Sequence, residues 1–383
     1  MNNNVYKEIL DRYSEESRLR AIPPVRDVSG YIDLTGNDYL GLGSRSKEFL
    51  PEFLERSELL FTSSASRLLA TRQKSYAGLE EMLSDLYGKD VLLFNSGYHA
   101  NTGCLSALAV PGTVFLADKL VHASAIDGLI LGKSEFYRWR HNDVASLVKL
   151  LEKHHADAER IIVVVESIYS MDGDEAPLRE LVALKKRFPK VILYVDEAHG
   201  FGVRGKQGLG LSEEQNLLPD IDILIGTFGK ACASQGAFVA TSPLMRNYLL
   251  NSARSFIFST ALPPVCCDWT RLMIEKIVTM GYERGRLAAI ARRVNDFIDK
   301  LTGTASPSTS QIIPLVTGDS SKAISISAKL RDAGILALPI RRPTVPPGTE
   351  RIRFSFNSSI TDEELDYFEK QLESVYRNET GVC

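Results

Sequence analysis

The chain has 383 residues, 44% of them hydrophobic and 24% charged, with a formal net charge of −3 at pH 7. This length fits one large α/β unit or two domains, and the composition is ordinary for a globular protein. Nothing in the charge balance would attract nucleic acid, and no apolar run approaches the ~20 residues that span a bilayer.

The amino-terminal stretch and the cysteines indicate the compartment. The first ten residues, MNNNVYKEIL, are polar and charged, so we expect no secretory signal. The five cysteines include no C-x-x-C pair, and Cys266 and Cys267 are adjacent. This usage favours free thiols in a reducing compartment over a disulfide framework or a zinc site. We therefore expect a cytoplasmic protein without a bound metal.

The first predicted elements, in residues 1–45, are a polar helix and a short extended piece. The helix candidate is VYKEILDRYSEESRLR, and a break at Pro23-Pro24 separates it from YIDLTGNDYLGLG. From residue 61 onward, apolar runs alternate with helical segments. DVLLFNSG leads into YHANTGCLSALAV, and TVFLAD follows.

The next runs, IIVVVE and VILYVD, are continuously apolar and β-branched, as in strands that are covered on both faces. Because amphipathic segments separate these runs, the pattern predicts βαβ units and a parallel sheet.

Beyond Leu262 the pattern changes. A long helical stretch, 268–301, is followed by a helix candidate closed by Gly334 and by the alternating strand RIRFSFN. The last helix begins with a capping-box pattern at Thr361 and Glu364. We predict an amino-terminal segment (1–45) that packs on a small α+β domain (266–383), and a large α/β domain (46–265).

Two short motifs imitate nucleotide-binding signatures. GFGVRG (200–205) matches G-x-G-x-x-G after a strand, but DEAH intervenes and the continuation KQGLGLSEEQN lacks a helical apolar period. This disfavours a dinucleotide site. DEAH (196–199) is similar to the acidic box of helicases, which also need a phosphate loop of the form G-x-x-x-x-G-K-[ST]. The sequence contains no such loop, so the helicase interpretation fails.

Lys230 lies among small residues in IDILIGTFGKACASQGAFVA. Taken alone, it would be a surface lysine in a turn. A desolvated lysine, however, loses its proton readily, and a neutral amine forms a Schiff base with an aldehyde. Asp196 ends a buried strand, at the edge where open α/β sheets bind ligands. A buried carboxylate there needs a cationic partner, which a protonated pyridine nitrogen would supply.

Other residues suit the remaining parts of the same ligand. Thr227 ends a strand between two glycines and offers a hydroxyl to a phosphate. Gly97 and Tyr98 lie where a strand meets a helix amino terminus, which is either an anion site or a plain turn. His199 is either a contact to a ring oxygen or a turn histidine. Pyridoxal 5′-phosphate requires an amine, an acid for its ring nitrogen and a phosphate cradle together, so the set predicts this cofactor.

The chain resembles the α-oxoamine synthase family along nearly its whole length. The matching stretches are NDYLGL, SGYHAN, DKLVHASAIDG, ESIYSMDGDEAPL, DEAHGFGVRGKQGLG, GTFGKA, FIFSTALPP and PTVPPGTERIRFSF. The resemblance implies a fold-type-I, aspartate-aminotransferase-like subunit, with a large domain built on a mainly parallel sheet and a smaller α+β carboxyl-terminal domain. It also implies a homodimer with active sites at the subunit interface, and decarboxylative condensation of an amino acid with an acyl thioester.

The resemblance further implies roles for single residues in cofactor binding. Lys230 would hold pyridoxal phosphate and act as the base, Asp196 would pair with the ring nitrogen, and His199 would bond the ring hydroxyl. His122, in LVHAS, would stack on the ring, whereas without the resemblance it would be a core histidine. The other implied cofactor contacts are Gly97, Tyr98, Ser170 and Thr227.

For the amino acid, the resemblance implies that Arg353 and Asn37 receive the carboxylate. Alternation independently places Arg351, Arg353 and Ser355 on one strand face. A planar guanidinium is a natural carboxylate fork, although a solvated strand face would show the same pattern.

Within the family, the compact length and RRPTVPPGTERIR are most similar to a member that joins L-alanine to a pimeloyl thioester in biotin synthesis. By that similarity Thr344 would contact substrate, and Arg20, or else Arg18, would reach the acyl partner. A solvated helix end is the alternative for the arginine. The acyl carrier could be coenzyme A or a carrier protein.

The chain departs from the family at two positions. Tyr76 stands where members commonly have histidine, and Thr62 where glycine is usual. These departures leave the acyl or amino-acid preference open, but not the cofactor. The alternatives are a glycine-using family member, an aminotransferase on the same fold, and a catalytically silent subunit of a heteromeric synthase, which the intact Lys230, Asp196 and His199 disfavour.

Overall fold

The structure, a computed structural model, describes residues 4–16, 18–20, 22, 25 and 27–381. The predicted break at Pro23-Pro24 lies outside these residues. By internal contacts the chain forms two units. The small unit comprises Met1–Gly36, Met171–Gly173 and Leu287–Cys383, and the large unit comprises Asn37–Ser170 and Asp174–Arg286.

The strands of the described residues are β1 (Ile32–Asp33), β2 (Asp90–Phe94), β3 (Thr113–Asp118), β4 (Glu135–Trp139), β5 (Arg160–Glu166), β6 (Val191–Asp196), β7 (Ile223–Thr227), β8 (Ala237–Thr241), β9 (Ile312–Val316), β10 (Ile335–Leu336), β11 (Leu338–Ile340) and β12 (Arg351–Ser355).

The helices are α1 (Asn4–Glu15), α2 (Ser46–Arg56), α3 (Lys74–Tyr87), α4 (Gly97–Ala107), α5 (Ala123–Gly132), α6 (Val144–His154), α7 (Leu178–Arg187), α8 (Leu211–Glu214), α9 (Pro243–Ser252), α10 (Arg254–Ile257), α11 (Pro264–Thr279), α12 (Gly281–Thr302), α13 (Ser320–Asp332) and α14 (Asp362–Thr380). None of the helices in the part of the chain that the structure describes is both long enough and apolar enough to cross a membrane.

The large unit is built on a seven-stranded sheet of order β2-β8-β7-β6-β5-β3-β4. Strand β8 runs antiparallel to both neighbours, and the other neighbouring pairs are parallel. The apolar side chains of β5, β6 and β7 are buried, apart from the partly buried Ile192, as the continuous apolar runs predict. The prediction of a mainly parallel sheet is confirmed. Because parallel strands end at the same edge, this sheet gathers the residues that follow each run.

The small unit contains a three-stranded antiparallel sheet, β11-β12-β9, against which α13 packs. Residues Met1–Gly36 belong to this unit, and β1 pairs with β10 through Ile32 and Ile335. The predicted capping box of α14 is confirmed, since Thr361 and Glu364 bond each other's backbone N–H groups. Phe354 and Phe356 both pack edge-on against Phe368 of α14.

Two details differ from the sequence-based expectations. The predicted helix over 268–301 is two helices, because Met280 leaves the helical conformation (ψ 45°) between α11 and α12. The units divide after Gly36 and after Arg286, whereas the sequence suggested 45 and 265. Helix α11 lies in the large unit because it packs on α2 and α3.

Candidate active site

The carboxyl ends of the central strands carry the predicted cofactor residues. Asp196 ends β6 and Thr227 ends β7, while Lys230 follows β7 by three residues. His122 caps α5, shortly after β3 ends, and Gly97 begins α4 after β2. The sheet topology therefore gathers at one edge residues that are far apart in sequence.

A hydrogen-bonded chain runs from Lys230 through His199 and Tyr39 to Asn37. Lys230 Nζ lies 2.8 Å from His199 Nε2, and His199 Nδ1 lies 2.6 Å from the Tyr39 hydroxyl. That hydroxyl donates to Asn37 Oδ1 over 2.8 Å. Because the amide oxygen can only accept, His199 Nδ1–H donates to Tyr39 and His199 Nε2 accepts from Lys230. The chain thus sets the tautomer of His199.

Asp196 is buried and receives defined donors. Asn101 Nδ2 donates to Asp196 Oδ2 over 2.8 Å, and the backbone N–H of Ala198 donates to Oδ1 over 2.9 Å. The Tyr194 hydroxyl donates to Asn101 Oδ1 over 2.7 Å, which orients the amide. Such donors stabilise a carboxylate, so Asp196 suits a cationic ring nitrogen.

His122 is linked to the same network through Ser124. Its Nδ1 accepts from the Ser124 backbone N–H at 3.2 Å and lies 2.7 Å from the Ser124 hydroxyl, which also accepts from Asn101. Burial lowers the pKa of His122, and the Lys230 charge acts in the same direction while Asp196 opposes it. A neutral imidazole at this position is suited to stacking on an aromatic ring.

Sequence reasoning missed Glu166, the last residue of β5. It is the register neighbour of Asp196, and its Oε1 is buried without a hydrogen-bond partner among the described residues. Burial, and then the negative charge of Asp196, raise the pKa of Glu166 to about 8. The signal was present in IIVVVE, because this carboxyl ends a buried apolar run just as Asp196 does. A second, protonated carboxyl therefore lies beside the one assigned to the cofactor.

The candidate phosphate cradle is formed by the start of α4 and the end of β7. Ser96 caps α4, and a Cβ atom placed on Gly97 would lie 3.7 Å from Thr227 Cβ. The Thr227 hydroxyl donates to the Gly236 carbonyl over 3.2 Å. The backbone N–H groups at the start of α4 are suited to an anion, and the Thr227 hydroxyl beside them would have to turn away from Gly236 to donate to it. Tyr98 is half-exposed, and its hydroxyl donates to Asp127. Ser170 lies in a turn that follows β5.

Close packing explains the glycines of GFGVRG, and the first of them lies against the buried Glu197. Its carboxylate accepts from the Ser167 hydroxyl (2.5 Å), from the backbone N–H groups of Leu211 (3.0 Å) and Ser212 (2.7 Å), and from the Ser212 hydroxyl (2.6 Å). A side chain at Gly200 would collide with this carboxylate. Gly202 has φ +84°, and a Cβ there would lie 2.6 Å from Ala231 Cβ, next to Lys230.

The small unit holds the residues predicted to bind substrate, apart from Asn37. Arg353 is only 5% exposed, which excludes the solvated-face alternative. Its neighbour on that face, Arg351, pairs with Asp172. Arg20 Nη2 donates to the Thr344 hydroxyl over 3.3 Å, so these two residues, each predicted to contact substrate, lie next to each other. Arg18 instead pairs with Glu16 at 2.6 Å.

Both departures from the family pattern take part in local structure. Tyr76 is buried, its hydroxyl donates to the Leu262 carbonyl over 2.6 Å, and the Arg67 guanidinium lies 4.4 Å from its ring centre. The Thr62 hydroxyl accepts from the Ser64 backbone N–H over 2.9 Å. Tyr76 therefore links α3 to the segment before α11.

Pyridoxal 5′-phosphate fits this set of groups. Lys230 offers an amine for its aldehyde, Asp196 a carboxylate for its ring nitrogen, and the cradle at Gly97 and Thr227 an anion site. In the described ranges, no cluster of three or more His, Cys, Asp or Glu side chains could hold a metal ion.

Comparisons with known proteins agree with this chemistry. Residues 29–372 match the family model "Aminotransferase class I and II". An 8-amino-7-oxononanoate synthase of Haemophilus ducreyi is 46% identical over 344 residues, covering 88% of this chain and 89% of that protein.

Among solved structures, a serine palmitoyltransferase from S. paucimobilis with a bound PLP–myriocin adduct has a TM-score of 0.88 and 28% identity, covering 100% of this chain and 98% of that one. An 8-amino-7-oxononanoate synthase from Francisella tularensis has a TM-score of 0.77 and 25% identity, covering 92% of this chain and 99% of that one.

Proposed function

Since this chain belongs to the aminotransferase class I and II family, and within it to the pyridoxal-phosphate-dependent α-oxoamine synthases, we propose that it condenses L-alanine with a pimeloyl thioester. The products are 8-amino-7-oxononanoate, carbon dioxide and a free thiol, in biotin synthesis. The similarity to 8-amino-7-oxononanoate synthases supports this choice of substrates.

The observation that carries the proposal is the placement of Lys230. Its amine meets His199 Nε2 at the sheet edge where Asp196 ends β6. This pairing places the Lys230 amine beside the accepting nitrogen of His199 and in the electric field of the hydrogen-bonded Asp196 carboxylate. An amine so placed can be both the covalent anchor for an aldehyde and a base.

The side chains of this chain divide the work. When bound, pyridoxal 5′-phosphate supplies an electron sink for charge that develops at the amino-acid Cα. Asp196 would keep the ring nitrogen protonated, and His199 would hold a ring oxygen. The neutral His122 would help to hold the ring, and Lys230 Nζ would remove the Cα proton and later return one. The cradle at Gly97 and Thr227, with Tyr98 and Ser170, would hold the phosphate end.

We assign substrate binding to charged and polar side chains. We assign Arg353 and Asn37 to the amino-acid carboxylate, with the guanidinium as a bidentate donor. Arg20 and Thr344, which already share a hydrogen bond, are assigned to the acyl partner. The thiol that carries this acyl group belongs either to coenzyme A or to a carrier protein.

We also propose that the protein works as a homodimer with active sites at the interface. Phe61, Leu69 and Phe258 are 72%, 74% and 70% exposed. The segments that carry them are joined by a β-bridge between Ser66 and Thr260. Large apolar side chains exposed together mark association surfaces. The reduced thiols of Cys104, Cys232, Cys266 and Cys267 suit the cytoplasm, where we expect the enzyme to act.

The deciding experiment is mass analysis of the product formed from alanine and a pimeloyl thioester. Parallel reactions replace alanine with glycine or serine, pimeloyl with acetyl, and coenzyme A with an acyl carrier protein. We expect 8-amino-7-oxononanoate and an equal amount of carbon dioxide. Faster turnover with glycine would refute the choice of alanine. Release of a keto acid without carbon dioxide would instead indicate an aminotransferase.

A further inference from the structure

Outside the residues assigned to the cofactor, a half-buried histidine joins two carboxylates in the large unit. His141 Nδ1 lies 2.9 Å from Asp118 Oδ1, and His141 Nε2 lies 2.7 Å from Asp174 Oδ2. We call Asp118, His141 and Asp174 the His141 bridge. The ring also packs edge-on against Tyr169, with ring centres 4.5 Å apart.

The geometry requires a charged imidazole. Each ring nitrogen faces a carboxylate oxygen, and a carboxylate can only accept a hydrogen bond, so both nitrogens must carry protons. Burial lowers the pKa of His141, but the hydrogen bonds to Asp118 and Asp174 outweigh it and raise the pKa to about 10. The bridge is therefore a fixed cation between two anions throughout the neutral pH range.

One end of the bridge shapes the turn before His122. Asp118 is the last residue of β3 and is fully buried. Its carboxylate accepts from the Leu120 backbone N–H over 2.7 Å, and its carbonyl accepts from the Val121 N–H over 3.3 Å. His122 comes next in the chain and is the N-cap of α5. The position of Asp118 therefore determines where the His122 backbone enters the site.

The other end closes the turn that carries Ser170. The Tyr169 backbone N–H donates to the Asp174 carbonyl over 2.9 Å, so this pair closes the turn. Asn142 Nδ2 donates to the Asp174 carboxylate over 2.7 Å and to the Glu175 carbonyl over 2.9 Å. The Asn142 N–H also donates to Asp118 Oδ2 over 2.9 Å, which ties the two ends together.

We propose that His141 is a positioning residue: joined to Asp118 and Asp174, it fixes the two turns that present His122 and Ser170, and it thereby determines the affinity for the cofactor. The proposal rests on the roles assigned above to His122 and Ser170. His141 itself is not among the residues assigned to the substrate or the cofactor. Its effect is to hold two contacts in place, one over the ring and one beside the phosphate end.

The test compares His141→Gln with the matched control His155→Gln. Glutamine is neutral and cannot donate to both carboxylates in the geometry of a ring. His155 follows α6 and packs on Phe188, at the opposite end of β5 from the cofactor edge. Apoprotein is titrated with pyridoxal phosphate while the absorbance of the bound cofactor and the tryptophan fluorescence are recorded.

We expect the dissociation constant of pyridoxal phosphate to rise at least tenfold in His141→Gln and less than twofold in His155→Gln. The absorbance of the bound cofactor should also shift only in the first variant. A lowered melting temperature with unchanged cofactor affinity and spectrum would show a merely structural role and overturn the proposal.

If His141→Gln does not fold, Asp174→Asn supplies the same test. It keeps the side-chain shape and an acceptor oxygen for His141 but removes one negative charge. We expect at least threefold weaker cofactor binding, and unchanged binding would refute the proposal. A wild-type protein that binds the cofactor but makes another product would refute the alanine and pimeloyl assignment, without removing the effect of His141→Gln.

Discussion

Replacing Tyr39 with phenylalanine tests the hydrogen-bonded chain that ends at Lys230. The change removes one buried hydroxyl, which accepts from His199 Nδ1 at 2.6 Å and donates to Asn37 at 2.8 Å. Without that acceptor, the Nδ1–H tautomer of His199 loses its hydrogen bond at Nδ1 and keeps the one that Nε2 accepts from Lys230. We expect the balance to shift toward the Nε2–H tautomer, in which the ring donates to the Lys230 amine instead of accepting from it.

The magnitude follows from what the hydroxyl does. A buried donor left without its partner costs about 1–3 kcal/mol. If the reaction requires the Nδ1–H tautomer of His199, the transition state must bear this cost. We therefore expect kcat/KM for aminoketone formation to fall by roughly 5- to 150-fold. Urea unfolding of the apoprotein should show a loss of about 1 kcal/mol from the hydrogen bonds themselves.

Tyr87→Phe is the matched control. The Tyr87 ring is also buried, and its hydroxyl donates to the Leu209 carbonyl over 2.8 Å. This variant should lose similar stability and keep its kcat/KM. Nitrogen NMR of labelled His199 reports the tautomer directly. Equal kcat/KM in Tyr39→Phe and Tyr87→Phe, with the proton still on Nδ1, would refute the reasoning.

Three further predictions concern the groups around the cofactor. Lys230→Ala should form no aminoketone, and borohydride treatment followed by peptide mapping should label Lys230 only in the wild type. Asp196→Asn should still bind the cofactor but lose roughly 100- to 1,000-fold in kcat; a normal rate of Cα proton exchange would contradict that role. Glu166→Gln should flatten the pH dependence of stability. Because burial raises the pKa of the Glu166 carboxyl, the folded state holds its proton more tightly, and the unfolding free energy falls as pH rises from about 4.5 through about 8. Parallel stability curves for wild type and Glu166→Gln between pH 5 and 9 would contradict this.

The residues that could be predicted from sequence are those marked by local pattern. Asp196 ends a buried apolar run and Lys230 lies three residues beyond another, so strand order alone brings them to one edge. Glu166 satisfied the same rule and could have been found by applying it evenly. The capping box at Thr361 was equally local, because both of its partners lie within four residues.

The partners of those residues could not be predicted, because they are distant in sequence. Asn101 is 95 positions from Asp196, and Tyr39 is 160 positions from His199. Nothing in NDYLGL marks its tyrosine as the acceptor for a particular imidazole. The end of α11 was not predicted for a different reason. The break at Met280 has no proline, and the apolar period continues across it.

The glycines around Glu197 show that one sequence motif can have more than one structural cause. In the pattern G-x-G-x-x-G, small residues are usually taken as room for a diphosphate that arrives from solution. Here the first of these glycines, Gly200, leaves room for the carboxylate of Glu197, which is part of the polypeptide and follows Asp196 directly. The same motif can thus make room for a bound ligand or for a buried side chain of the protein itself. The two cases differ in whether the neighbouring negative charge belongs to a ligand or to an Asp or Glu of the chain.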